Sequence, residues 1–267
     1  MLLTADIGNT SITLGIFDGS ALVEEFRLAS DKDLSLEEYE VLLKSLFKNY
    51  KVDGCIIASV VEELTKKFKQ AVDNTFKLNS IVLSTEINTG VKINLDNPKE
   101  AGADRIANAA GAYVLYKHPV IVIDFGTATT FDIVNAKGEF IGGVISLGIM
   151  SQMKALNKFT SKLPQTDITI SNSAIGHNTN DAILSGVIRG TACMIDGLVE
   201  QCEKELALHD NAKKCILVAT GGYSGLIANY LKRPFDFINP NLTLEGLRYL
   251  YSINSSNIIS ELQEITH

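Results

Sequence analysis

An internal repeat constrains the fold of this 267-residue chain more than any other feature. Each half opens with three apolar, extended segments. They lie at 2–5, 12–17, 21–28, 119–123, 129–134 and 140–145. Alternating helical and extended patterns follow in both halves. Because self-similarity of this kind marks a duplicated unit, the sequence predicts an α/β protein of two related domains. Each domain is expected to hold a mixed five-stranded sheet flanked by helices, with a cleft between the two.

The repeat also predicts where the domains begin and end. The expected division is 1–117 for the first domain, 118–251 for the second and 252–267 for a polar C-terminal tail. Ser35 and Glu38 have capping-box spacing and predict the start of a helix. Apolar residues at helical spacing predict one long helix from about residue 180 to 208. The last helix is expected to end near Leu250, and the tail beyond it to fray.

Both halves carry an Asp-x-Gly turn after their first strand. These turns are Asp6-Ile7-Gly8-Asn9-Thr10 and Asp124-Phe125-Gly126-Thr127-Ala128. One such turn is equally well explained as an ordinary tight hairpin, but two in register favour a pair of phosphate loops. Glycine permits close approach of backbone N–H groups to an anion, and a carboxylate can hold Mg²⁺ or its waters. Nearby hydroxyl groups, including those of Thr129 and Thr130, would add donors to the second loop.

Gly102-Ala103-Asp104-Arg105 lies at the junction of the two halves, where a helix is expected to begin. Asp104 at a helix start and Arg105 in a surface ion pair would be the ordinary interpretation. At a cleft, however, a carboxylate can take the proton from a substrate hydroxyl, and a guanidinium can bind a substrate carboxylate. A small hydroxy-acid is the acceptor that this pair predicts. Gly221-Gly222 predicts a further turn where backbone can approach a nucleotide.

Composition narrows the class of protein further. The formal net charge of −7 argues against a general nucleic-acid binder. The four cysteines have no CxxC spacing, so neither a zinc site nor a disulfide framework is indicated. No signal-peptide pattern begins the chain and no apolar run approaches 18 residues in length, so we expect a cytoplasmic protein with no membrane partner. There is no GxxxxGK[ST] phosphate loop, and Ser151-Gln152-Met153-Lys154 matches SxxK without its companion motifs.

These stretches together resemble type III pantothenate kinase, a member of the acetate and sugar kinase/Hsp70/actin superfamily. The resemblance runs from Asp6 to about Leu250 and depends most on the two Asp-x-Gly turns and on residues 102–105. It implies a duplicated actin-like (ribonuclease H-like) fold. It further implies transfer of the ATP γ-phosphoryl group to pantothenate, giving 4'-phosphopantothenate in the first step of coenzyme A biosynthesis. The implied cofactors are ATP with Mg²⁺ and a monovalent cation, K⁺ or NH₄⁺, and the implied assembly is a homodimer.

The resemblance also implies roles for individual residues. Thr127 and the first loop would bind ATP, the loop residues being Asp6, Ile7, Gly8, Asn9, Thr10, Ser11, Ile12 and Thr13. Asp104 would be the catalytic proton acceptor. Pantothenate would contact Gly102, Ala103, Asp104, Arg105 and Thr179. Asp124 would help to bind the monovalent cation, and Asp6 would hold Mg²⁺ directly or through water.

Two departures from the family pattern leave alternatives open. Leu147 stands where the family usually has proline, and Leu95 stands where it tends to have tyrosine. The second departure bears on acceptor binding, because a lost hydroxyl contact is worth roughly 1 kcal/mol. A phosphoanhydride hydrolase or a kinase of another hydroxy-acid on the same fold is therefore an alternative. A non-catalytic nucleotide-dependent regulator is a third, although it predicts a damaged acceptor motif and Asp104 and Arg105 are both present.

Overall fold

The computed structural model describes residues 1–117, 119–160, 163–164, 166–210 and 214–265. The chain forms two compact units. Met1–Val114 and the last helix make the first unit, and Leu115–Asn241 makes the second. Each unit has its own hydrophobic core and is described separately below.

The sheet of the first unit grows from the predicted run of three strands. Its strands are β1 (Leu2–Ile7), β2 (Ser11–Asp18), β3 (Ala21–Ala29), β4 (Gly54–Ser59) and β5 (Ile81–Val82). They lie in the order β3-β2-β1-β4-β5. β1 pairs antiparallel with β2 and parallel with β4, which makes the sheet mixed. β1 and β4 are almost entirely buried, as expected of central strands covered on both faces.

Helices cover this sheet. They are α1 (Leu36–Leu46), α2 (Glu62–Phe76) and α3 (Ala103–Tyr116). The short strand β6 (Lys92–Ile93) and a 3₁₀ turn (Pro98–Glu100) precede α3 in the chain. The predicted capping box is confirmed, because Ser35 accepts from the Glu38 N–H and Glu38 accepts from the Ser35 N–H. Tyr39 of α1 and Phe68 of α2 meet edge to face at 5.6 Å in the core of this unit.

The second unit repeats the first. Its strands are β7 (Val120–Phe125), β8 (Ala128–Val134), β9 (Glu139–Leu147), β10 (Ile216–Gly221) and β11 (Phe237–Ile238). Within the unit they lie in the order β9-β8-β7-β10-β11, which matches β3-β2-β1-β4-β5 strand for strand. Its helices are α4 (Ile149–Phe159), α5 (Thr179–Leu184), α6 (Gly190–Asp210) and α7 (Ser224–Ala228). The predicted duplicated α/β fold is confirmed.

The long helix predicted over 180–208 is interrupted. A π-helical turn, Ser185–Arg189, separates α5 from α6. The helical stretch Thr179–Leu208 is long and apolar enough to cross a membrane by length and composition alone, although Arg189 and Asp196 interrupt its apolar residues. Its apolar side chains, Ile188 and Ile195 among them, belong to the core of the second unit.

The last helix, α8 (Leu242–Ile265), differs from its prediction in length and in the domain that it joins. Instead of ending near Leu250, it continues through the segment expected to be a polar tail. Residues 242–251 were assigned to the second domain, yet α8 packs in the first unit. A Cβ at Gly246 would lie 2.0 Å from the Ala107 carbonyl oxygen, so the absence of a side chain lets α8 touch the backbone of α3. Leu247 and Leu250 complete the same core cluster.

Candidate active site

The predicted first phosphate loop is a tight hairpin turn between β1 and β2. The Gly8 N–H donates to the Ser11 carbonyl oxygen at 3.0 Å, which leaves Asn9 and Thr10 exposed at the tip. Asp6 is half-buried at the end of β1 and lies opposite Thr13. Opposing residues of an antiparallel pair share one face of the sheet, so this carboxylate and hydroxyl are neighbours.

The loop residues divide by burial into two groups. Ile7 and Ile12 are fully buried and belong to the core of the first unit. Their side chains anchor the turn, and only their backbone groups remain as candidates for binding ATP. The polar members Asn9, Thr10 and Ser11 keep accessible surface and can present donors to an anion.

Arg27 of β3 and Ser30, which follows β3, also support this loop, and neither was predicted from the sequence. The Ser30 hydroxyl donates to the Gly8 carbonyl oxygen at 2.5 Å, and the Ser30 N–H donates to the Thr10 carbonyl oxygen. Arg27 of β3 donates from Nη2 to the Ser11 hydroxyl at 3.0 Å. A guanidinium group therefore lies beside the turn and gives it positive charge.

The glycines of the two Asp-x-Gly turns are not required by the local backbone. Neither Gly8 nor Gly126 adopts a positive φ. A Cβ at Gly8 would come no closer than 3.4 Å to another atom, and one at Gly126 no closer than 3.5 Å. An ordinary residue would thus fit both turns. Glycine at both positions would allow a ligand to approach the backbone closely.

Asp104 is the second residue of α3, near the positive end of the helix dipole. Its Oδ1 accepts from the Arg105 N–H at 2.8 Å. Gly102 makes room for this arrangement, because a Cβ there would lie 2.6 Å from Asp104 Oδ1. Burial raises the pKa of the Asp104 carboxyl, although the Arg105 N–H and guanidinium oppose the shift. A carboxylate with a raised pKa is the better proton acceptor, as a general base requires.

The predicted second phosphate loop lies between β7 and β8, and the start of α4 holds its backbone. The Thr127 carbonyl oxygen accepts from the Gly148 N–H at 3.1 Å and from the Ser151 hydroxyl at 2.7 Å. A Cβ at Gly148 would lie only 2.3 Å from the Gly126 carbonyl oxygen. Ser151, the serine of the SxxK match, therefore fixes the backbone of Thr127 and leaves the Thr127 side chain exposed.

Asp124 lies beside the first glycine of the Gly221-Gly222 turn. β7 and β10 are parallel and place Asp124 next to Thr220. Gly221 has φ +83°, and a Cβ there would lie 2.7 Å from Asp124 Oδ1. The expected turn is confirmed between β10 and α7, and its approach to a nucleotide stays a prediction. Thr129, in contrast, is fully buried and its hydroxyl has no hydrogen-bond partner within the described part of the chain, so it is not placed as a loop donor.

Thr179 lies on a different element, at the first position of α5, and is exposed. Asn178 caps this helix by accepting from the Asp181 N–H at 2.9 Å. The structure thus brings Asp124, Thr127 and Gly221 together at one edge of a sheet, while Thr179 is carried by the segment that precedes the π-helical turn.

Asp6 and Asp124 are suited to bind hard cations whose remaining ligands come from a substrate and from water. Among the described residues there is no cluster of three or more His, Cys, Asp or Glu side chains that would enclose a metal. Mg²⁺ is commonly held by one or two carboxylates together with substrate phosphates and water. Asp6 beside the Thr13 hydroxyl fits that pattern, and Asp124 offers carboxylate oxygens to a second cation.

Comparisons with known proteins identify the family of this chain. A family profile described as type III pantothenate kinase matches residues 2–201. Type III pantothenate kinase from Dehalococcoides mccartyi strain CBDB1 is 43% identical over 258 residues, which cover 95% of this chain and 96% of the relative.

Solved structures show the same fold. A Baf family protein from Campylobacter jejuni matches with a TM-score of 0.60 at 22% identity, covering 95% of this chain and 99% of that one. MreB 5 of Spiroplasma citri, bound to AMPPNP, matches with a TM-score of 0.55 at 13% identity, covering 97% and 98%. The fold is therefore the actin-like ATPase fold, and the chain belongs to the type III pantothenate kinase family.

Proposed function

We propose that this protein transfers the γ-phosphoryl group of ATP to the primary hydroxyl group of pantothenate. The products are ADP and 4'-phosphopantothenate, the first intermediate of coenzyme A biosynthesis. Asp104 carries the proposal, because its carboxylate lies at the start of α3 with its pKa raised by burial, and the family resemblance implies that it is the proton acceptor. We place the reaction in the cytoplasm and expect a homodimer, as the family resemblance implies. The net charge of −7 favours small-molecule partners over nucleic acid.

In the proposed mechanism Asp104 accepts the proton of the pantothenate hydroxyl as its oxygen attacks the γ-phosphorus. The bond from the γ-phosphorus to the β,γ-bridging oxygen breaks, and ADP leaves with the bonding electrons. Gly102, Ala103 and Thr179 contact pantothenate, and Arg105 binds its carboxylate by parallel hydrogen bonds. A positioned base of this kind contributes about 10²–10⁴-fold to the rate.

Residues 6–13 of the first loop and Thr127 of the second bind ATP in this proposal. Positioning and charge neutralisation supply most of the catalysis of phosphoryl transfer. Backbone N–H groups beside Gly8 and Gly126 donate to phosphate oxygens, for which both glycines leave room. Arg27 adds positive charge to the first loop through Ser11. Asp6 would hold Mg²⁺ and Asp124 the monovalent cation, which when bound neutralise phosphate charge.

An assay of ADP release tests the proposal. Purified protein is incubated with ATP, Mg²⁺ and K⁺, with and without pantothenate, and the product is identified by mass spectrometry. We expect ADP to form with pantothenate and an equal amount of phosphopantothenate to appear. Equal ADP release in both samples would instead identify a phosphoanhydride hydrolase. ATP binding without turnover on any hydroxy-acid would favour a nucleotide-dependent regulator.

A further inference from the structure

The segment 171–178, which carries the chain into Thr179, has no helix or strand of its own. Its residues are exposed or half-buried, with the exception of Ser171, which is 4% exposed. Among residues 166–178, all of which the structure describes, Ser171 is the only one that is fully buried. A segment with so little burial keeps one conformation only if hydrogen bonds hold it.

Every polar atom of Ser171 is hydrogen-bonded, and Arg189 and Tyr230 supply most of the partners. The Ser171 N–H donates to the Tyr230 hydroxyl at 2.8 Å. Arg189 donates from Nε to the Ser171 hydroxyl at 3.1 Å and from Nη2 to its carbonyl oxygen at 2.8 Å. The Ser171 hydroxyl donates in turn to the Ser173 carbonyl oxygen.

Arg189 and Tyr230 also hold each other. The guanidinium carbon of Arg189 lies 5.0 Å from the centre of the Tyr230 ring, within cation–π range. Tyr230 packs against the core of the second unit, and Arg189 ends the π-helical turn. The two side chains therefore connect a loosely buried segment to rigid parts of the unit.

Two further contacts transmit this restraint to Thr179. Ser185, at the start of the π-helical turn, donates to the Ala174 carbonyl oxygen at 2.6 Å. Gly176 lies directly on the first turn of α5, since a Cβ there would be 2.2 Å from the Ala182 nitrogen. Any shift of 171–176 would thus displace the start of α5, where Thr179 lies.

We propose that Arg189 and Tyr230 are positioning residues for pantothenate binding. They fix Ser171, and through residues 171–178 they fix Thr179, the acceptor contact. This inference rests on the proposed function. It predicts that loosening the Ser171 contacts weakens pantothenate binding and leaves ATP binding unchanged, because the effect travels only to α5.

Tyr230→Phe and Arg189→Lys test the inference. Tyr230→Phe removes one oxygen and leaves a buried N–H without its partner, and Arg189→Lys removes the forked pair of donors. We expect the KM for pantothenate to rise about tenfold in each, with the KM for ATP and kcat within about threefold of wild type. Hydrogen exchange of the 171–176 amides should be faster in both variants.

Arg233→Lys is the matched control. Arg233 is also a half-buried guanidinium of the second unit, but it bonds to Glu203 and to the Cys215 carbonyl oxygen rather than to the segment. It should leave the KM for pantothenate within about twofold of wild type. Thermal unfolding of every variant separates this effect from a loss of fold, and Tyr230→Phe keeps the test available if Arg189→Lys does not fold.

The outcomes distinguish the inference from the function on which it rests. Wild-type protein that releases no ADP in response to pantothenate contradicts the proposed function. Active wild-type protein with an unchanged pantothenate KM in both variants, despite faster exchange at 171–176, contradicts the positioning role alone. An equal rise in the KM values for ATP and pantothenate contradicts it too.

Discussion

Replacing Gly221 by alanine should both destabilise the second unit and disturb Asp124. Gly221 has φ +83°, a region that costs an L-residue about 1–2 kcal/mol. The new Cβ would also lie 2.7 Å from Asp124 Oδ1 and from the nitrogen and oxygen of Phe125. Backbone atoms of a central strand cannot move away easily, and overpacking of this kind costs about 1–3 kcal/mol. The free energy of unfolding should therefore fall by about 2–5 kcal/mol.

Gly222→Ala is the matched control for this prediction, because the two glycines are adjacent. Gly222 has no positive φ, and a Cβ there would meet nothing within 4 Å. Alanine should be neutral or stabilise by about 0.4–1 kcal/mol through the unfolded chain. Urea denaturation followed by circular dichroism measures both variants against wild type. If the two differ by less than about 0.5 kcal/mol, the close contact between Gly221 and Asp124 is not present in solution.

Two further substitutions separate chemistry from stability. Asp104→Asn should lower kcat by about 10²–10⁴-fold, and it should raise the free energy of unfolding at pH 7 by about 0.5–2 kcal/mol because it removes a partly buried charge. Since the folded-state pKa of Asp104 is raised, its stabilising contribution is full below the unfolded-state pKa and is lost as pH rises through the folded-state pKa. The difference in unfolding free energy between Asp104→Asn and wild type should therefore vanish in acid. A difference that persists or widens in acid would contradict the raised pKa. Asp124→Ala should abolish activation by K⁺ or NH₄⁺ in the coupled assay, and an unchanged response to either ion would move that cation to another site.

The repeat and its strands were predictable because their signals are local. Alternation of apolar residues, the Asp-x-Gly turns and the capping box each depend on residues within a few positions of one another. The structure confirms the strands that lead into Asp6 and Asp124.

Arg27 was missed because a β-bulge hides its register. Counting back from the Asp18–Ala21 turn pair would place Phe26 opposite Thr13. The register shifts between Ile16 and Phe17, so that Arg27 lies opposite Thr13 instead. A slip of one residue exchanges the two faces of a strand, and nothing in the local pattern signals it.

The last helix was predicted too short because its support is distant in sequence. Asn254 is polar and was assigned to the tail, yet it is buried and donates to the carbonyl oxygens of Asn88 and Leu250. It also accepts from the Asn88 N–H at 3.0 Å. Because its partner Asn88 lies 166 positions away, the local sequence pattern predicts that Asn254 is exposed to solvent.

Glycine has two different roles in this site, and the structure separates them where the sequence cannot. Gly148 and Gly221 are required by packing, because a Cβ at either would collide with backbone atoms, and a Cβ at Gly102 would displace the Asp104 carboxylate. Gly8 and Gly126 meet no such obstacle and have ordinary φ values. If Gly8 and Gly126 served only the fold, alanine at either position should leave both stability and activity unchanged. The first group therefore shapes the walls around the acidic residues, and the second leaves space at the two turns where phosphate is proposed to bind.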